Sequence, residues 1–210
     1  CQIQLNYMDV EHQQGIRGYY LAQERGVPIV IMEPNKGGAL ANLPADIESI
    51  FRAYDPDASM ASWAFRWIAS LSNVKVVLSG MTTMAQVVDN LSVFHAFKPL
   101  NHRESILVEE AAKAIRAKTK NGCTGCNYCM PCPFGVDIPR NFKIWNTYAM
   151  YENKEQAANG FQSLDRSNAF ASVCKKCGAC ENKCPQHLPI RAHLEQVAMD
   201  RKAWGIDEQE

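Results

Sequence analysis

The sequence predicts an α/β fold followed by an all-helical domain. Three observations carry this. Short apolar runs alternate with amphipathic stretches as far as Phe94, the runs Pro28–Met32 and Val74–Leu78 read as buried parallel strands, and from Cys123 onward only helical periodicity remains.

The elements follow in order. Cys1 to Asn6 alternates polar and apolar residues as a strand does, and Gly15 to Arg25 reads as a helix stopped by Gly26. Pro28 to Met32 is the second strand and runs into the turn Glu33-Pro34-Asn35-Lys36-Gly37-Gly38. Helices are expected over 46–53 and 59–71, the second with Met60, Trp63, Trp67 and Leu71 on a core-facing stripe. Val74 to Leu78 is the third strand, and Thr83 to Phe94 the helix after it. Strand–helix alternation of this kind belongs either to an eight-unit barrel or to a doubly wound sheet. Asn101-x-x-Glu104 forms a capping box that opens a helix to Lys118. The boundary is expected at Thr119–Gly122, giving domains 1–118 and 119–210. Beyond it, helices are expected over 138–151, 154–164 and 189–204.

Composition narrows the function. Of 210 residues, 47% are hydrophobic, yet no run of eighteen apolar residues exists, so a membrane span is not expected. Lys+Arg and Asp+Glu both number 22, which leaves no electrostatic case for nucleic acid. The chain opens on Cys1 inside a strand, as a piece of a longer protein would.

The chemistry lies in the cysteines. Cys123-x2-Cys126-x2-Cys129-x2-Cys132-Pro133 and Cys174-x2-Cys177-x2-Cys180-x3-Cys184-Pro185 use eight of the nine, leaving out Cys1. Four thiolates per run suit a cubane iron–sulfur cluster, because three cysteines two residues apart wrap one corner of it and the proline turns the chain away. The second run has the bacterial ferredoxin spacing; the first is one residue shorter at its last step. Structural zinc more often takes two separated CxxC pairs. Disulfides suit an oxidising compartment, whereas no secretory signal is present and a cytoplasmic location is expected. Two [4Fe-4S] clusters are therefore expected, with Cys123, Cys126, Cys129, Cys132, Cys174, Cys177, Cys180 and Cys184 as ligands. In two-cluster ferredoxins the fourth cysteine of one run ligates the other cluster, so Cys132 and Cys184 are expected to cross over, although the short step could return Cys132 to its own cluster.

The all-helical tail resembles the helical two-cluster ferredoxin domains of multisubunit oxidoreductases. The whole chain, with its Cys-Thr-Gly-Cys-Asn-Tyr-Cys-Met-Pro-Cys-Pro tail, resembles the C-terminal part of the aldo/keto reductases that carry a ferredoxin-type extension. The resemblance implies that the first part is the last three strand–helix units of a (β/α)8 barrel, a TIM barrel, binding a nicotinamide cofactor, NADP in most of the family. It implies Gln2 at the nicotinamide carboxamide and Pro34, Gly37 and Gly38 near the pyrophosphate. Gly80, Thr82, Thr83, Gln86 and Asn90 fall at the adenosine end, with the α-helix amides beside Thr82 and Thr83 available to a phosphate. Met32 departs from the family's stacking aromatic. Gln86 departs from its basic residue, and no Lys or Arg lies between Lys75 and Lys98, which weakens the NADP preference. The family's catalytic aspartate, tyrosine, lysine and histidine lie on earlier strands, so no catalytic residue can be placed here. The implied function is an oxidoreductase passing electrons between a nicotinamide and a redox partner protein or flavin-containing centre; the alternative is a ferredoxin module on an inactive barrel scaffold. A flavin or similar centre is needed because a hydride carries two electrons and a cluster takes one.

Overall fold

The computed structural model describes residues 1–206. The chain forms two compact units, 1–115 and 116–210.

The first unit holds a parallel sheet of β1 (Gln2–Gln4), β2 (Ile29–Met32) and β3 (Val74–Val77), in the order β1-β2-β3. Gln2 pairs with Val30 and Gln4 with Met32, so all three strands point their carboxyl ends the same way. Between them run α1 (Gly15–Glu24), α2 (Ala45–Arg52) and α3 (Met60–Ala69); α4 (Met84–His95) and α5 (His102–Ala117) follow β3. The described residues form an open sheet, not a barrel. One face is covered: Ile3, Leu5, Ile29 and Ile31 pack with Tyr19 of α1 and Ile68 of α3. The expectation that Pro28–Met32 and Val74–Leu78 are buried on both faces is corrected here. In β2 buried and half-buried residues alternate, and in β3 Val76 is 46% exposed. Apolar runs arise wherever a strand is built to be covered twice, but among the described residues helices pack on one face of this sheet.

Trp63 of α3 is fully buried against Phe51 of α2, ring centres 4.9 Å apart, and Trp67 packs at the margin of the sheet core. At the carboxyl end of β1, Asp9 is held by Lys36 Nζ at 2.6 and 2.7 Å and accepts bonds from Asn6 and Gln4. Burial would raise its carboxyl, but these donors outweigh it and hold it below the usual range.

The second unit is helical, as the sequence predicts. α6 (Ile138–Tyr151), α7 (Lys154–Arg166) and α8 (Ile190–Ala203) enclose a core of Val136, Ile138, Phe142, Trp145, Phe161, Leu164, Ile190, Leu194 and Val197. Asp137 caps α6 by accepting from Arg140 N, and Asn153 caps α7 by accepting from Gln156 N. Trp145 Nε1 donates to Asp200 at 2.8 Å, and Arg201 grips Asp165 with two bonds while lying 4.5 Å from the Phe170 ring centre. Asn141, fully buried, donates to Asp137 O and Ala169 O and accepts from Ala171 N. Among the described residues no helix is long and apolar enough to cross a membrane.

Candidate metal centre

The two cysteine runs repeat one backbone design. In the first, Gly125 and Asn127 on either side of Cys126 have φ +70° and +64°; in the second, Lys176 and Gly178 on either side of Cys177 have φ +55° and +81°. Left-handed residues before and after the second cysteine curl each run into a tight loop, and glycine and asparagine are the residues that tolerate this best. The sequence hides the match because the roles are exchanged, with lysine standing where the first run has glycine. After each fourth cysteine the pattern repeats: Gly135 N donates to Cys132 O, His187 N donates to Cys184 O, and both donors are left-handed. A helix then begins, α6 after the first run and α8 after the second. The additional residue of the second run is absorbed by a short 3-10 turn, Glu181–Lys183.

Two cavities lie against the helical core. One is lined by Cys123, Cys126, Cys129 and Cys184, with Ile138 and Phe142 of α6 behind them. The other is lined by Cys132, Cys174, Cys177 and Cys180, with Leu194 of α8 behind; Cys129 lines both cavities. Thus the structure brings Cys184 to the first run and Cys132 to the second. Six of the eight, all but Cys126 and Cys177, also pack on the hydrophobic core. Cys129, which lines both cavities, is raised to about 11 by burial and by the neighbouring thiols of Cys123, Cys180 and Cys126. Burial likewise raises Cys180, with Glu181, Cys174 and Cys177 adding to it. Lys176 N donates to Cys174 Sγ at 3.4 Å.

These residues fit iron–sulfur clusters by donor chemistry: four thiols line the first cavity, with no histidine, aspartate or glutamate among its described lining residues. Among the described residues no three Cys, His, Asp or Glu side chains converge tightly enough for one metal ion. A tetrahedral zinc site draws its sulfurs to about 2.3 Å from one point, whereas a cubane puts each thiolate on a different iron across a wider space.

The expected nucleotide residues divide. Pro34, Gly37, Gly38, Gly80, Gln86 and Asn90 line a cleft at the carboxyl ends of β2 and β3, of about 620 Å³, within the range of cofactor sites. Gln2, Thr82 and Thr83 are not among its lining residues; Gln2 sits level with Val30, two residues short of the end of the sheet. The cleft does not suit a dinucleotide's phosphates. Gln86 Oε1 already accepts from Thr82 N and Thr83 N at 2.8 and 3.1 Å, completing a capping box, so the amides expected to hold a phosphate are taken. Glu33 and Asp89 line the cleft with no lysine or arginine, and Lys36 in the same turn is bound to Asp9. Asn90 donates to Ser79 Oγ.

Comparison with known proteins supports the metal centre alone. The family described as the 4Fe-4S dicluster domain matches residues 122–190. No curated protein and no solved structure matches the chain. Residues 122–190 are thus a ferredoxin-type electron-transfer domain with iron–sulfur clusters, while no relative supports the resemblance of residues 1–118 to an aldo/keto reductase.

Proposed function

We propose that this chain is the electron-transfer portion of an iron–sulfur oxidoreductase, with one [4Fe-4S] cluster on Cys123, Cys126, Cys129 and Cys184 and another on Cys132, Cys174, Cys177 and Cys180. The carrying observation is the sorting of eight cysteines into two cavities, each completed by a residue from the other run. A cluster of this type takes up and releases one electron at a time. The chain's own residues furnish the thiolates, wall them with Phe142, Ile138 and Leu194 against water, and aim the Lys176 amide at the Cys174 sulfur. Protein purified without oxygen should carry about eight irons per chain, unchanged by Cys1→Ser. One or two zincs in place of iron would sink the reading.

The domain division follows the notion of two functions: residues 1–118 as a barrel-derived part and 119–210 as the cluster domain. For the first part there are two readings. In one it binds a nicotinamide nucleotide in the cleft of Pro34, Gly37 and Asn90, as an aldo/keto reductase would, and passes electrons onward through a flavin-containing centre. In the other it is a scaffold, and the clusters serve a separate enzyme. The lack of a cation in the cleft and the capped Thr82 and Thr83 amides favour the scaffold. Titration with NADH and NADPH should leave the fluorescence of the bound nicotinamide undetected; saturable binding abolished by Asn90→Ala would favour the reductase instead.

A further inference from the structure

Resting on this cluster reading, we infer that the rim of the second cavity is a docking surface for an acidic redox protein. The chain is charge-balanced as a whole, so a basic rim is local. Lys175, Lys183 and Arg191 line the cavity of Cys174, Cys177 and Cys180, and Lys176 and Lys202 line an adjoining groove that shares Cys174 and Arg191 with it. Two of these five cations are neutralised, Lys176 by Glu195 at 3.0 Å and Arg191 by Glu181 at 2.8 Å. Lys175, Lys183 and Lys202 are exposed and have no ion pair among the described residues, leaving three unbalanced positive charges.

The same rim carries apolar contact area. Phe134 is 44% exposed at the cavity and Met199 is 59% exposed in the groove. Exposed aromatic and methionine side chains inside a charged border are the anatomy of a transient interface. Cys177 is itself exposed, so a partner seated there approaches the thiolates directly. The first cavity differs. It has no charged residue in its lining, and none lies between Cys123 and Cys132. The two groups of thiols therefore face the solvent through surfaces of different charge, and only one attracts an acidic partner over distance.

The test uses the whole chain, loaded with iron and reduced by dithionite, against two one-electron acceptors: flavodoxin, which is acidic, and a basic cytochrome c. Each transfer to flavodoxin removes one electron from the chain and gives the flavin that electron and a solvent proton; to cytochrome c the electron goes alone to the haem iron. The rate with flavodoxin should fall about tenfold or more from low to physiological ionic strength. The triple variant K175Q/K183Q/K202Q should lose a similar factor at low salt, and should bind oxidised flavodoxin more weakly when immobilised, with its iron content unchanged. Equal flavodoxin rates and binding for the two chains, or faster transfer to cytochrome c that salt weakens, would overturn the docking surface while leaving the clusters in place. A chain without iron would overturn the cluster reading and the docking surface together.

Discussion

Asn141 has no exposed surface, and its side chain is the acceptor for Ala171 N, whose residue begins the turn leading into Cys174. Replacing it by leucine keeps the volume but leaves that amide buried and unpaired, at a cost of about 1–3 kcal/mol. Asn141→Leu should therefore lower the urea midpoint of the second unit and loosen iron at the second run first. His193 supplies a pH test. Burial pushes its imidazole below the ordinary 6.5, partly opposed by Glu181, and its Nδ1 is buried. The unfolded chain takes up the proton first on acidification. Stability should thus fall as pH drops through about 6.5 and level off once the folded imidazole is protonated too. His193→Gln should flatten that part of the profile in urea melts.

At the level of elements, the helices were the legible part. The spacing predicts a helix over 138–151 and the structure places α6 at Ile138–Tyr151, because Asp137 supplies a cap and Pro139 fits the first turn. For α4 the start is fixed by Thr83 and Gln86 capping each other, and the same capping removes the amides that the family resemblance assigned to a phosphate. Thr83→Ala should cost about 1 kcal/mol, seen as faster hydrogen exchange of the Gln86 and Val87 amides. Burial of the strands was not legible, since an apolar run states that a strand can be covered, and how many layers cover it depends on elements far away in sequence. Nor was the left-handed Lys176, a conformation imposed by the loop around Cys177 against the preference of its own side chain.

For the molecule as a whole, the cysteine spacing announced the metal centre, but spacing alone left open which cavity Cys132 would join. The answer depends on how α6 and α8 pack, because each lies behind the cavity completed by the other run. Cys184→Ala should remove about half the iron and the spectroscopic signal of one cluster, and Cys132→Ala the other, whereas Cys1→Ser removes none. Chelation of iron should lower the thermal stability of residues 116–206, since binding energy at such sites is folding energy.

The proposed crossing also sets an order in time. The cavity of Cys123, Cys126 and Cys129 gains its fourth thiol only from Cys184, on the far side of α6 and α7 in the sequence. During synthesis the first run emerges from the ribosome complete in itself, yet three of its thiols must wait, reduced and open to oxidation, until α6, α7 and the second run have followed. On the proposed ligand set, loading of this cluster follows synthesis of the second run, and those three sulfurs have to be guarded in the interval.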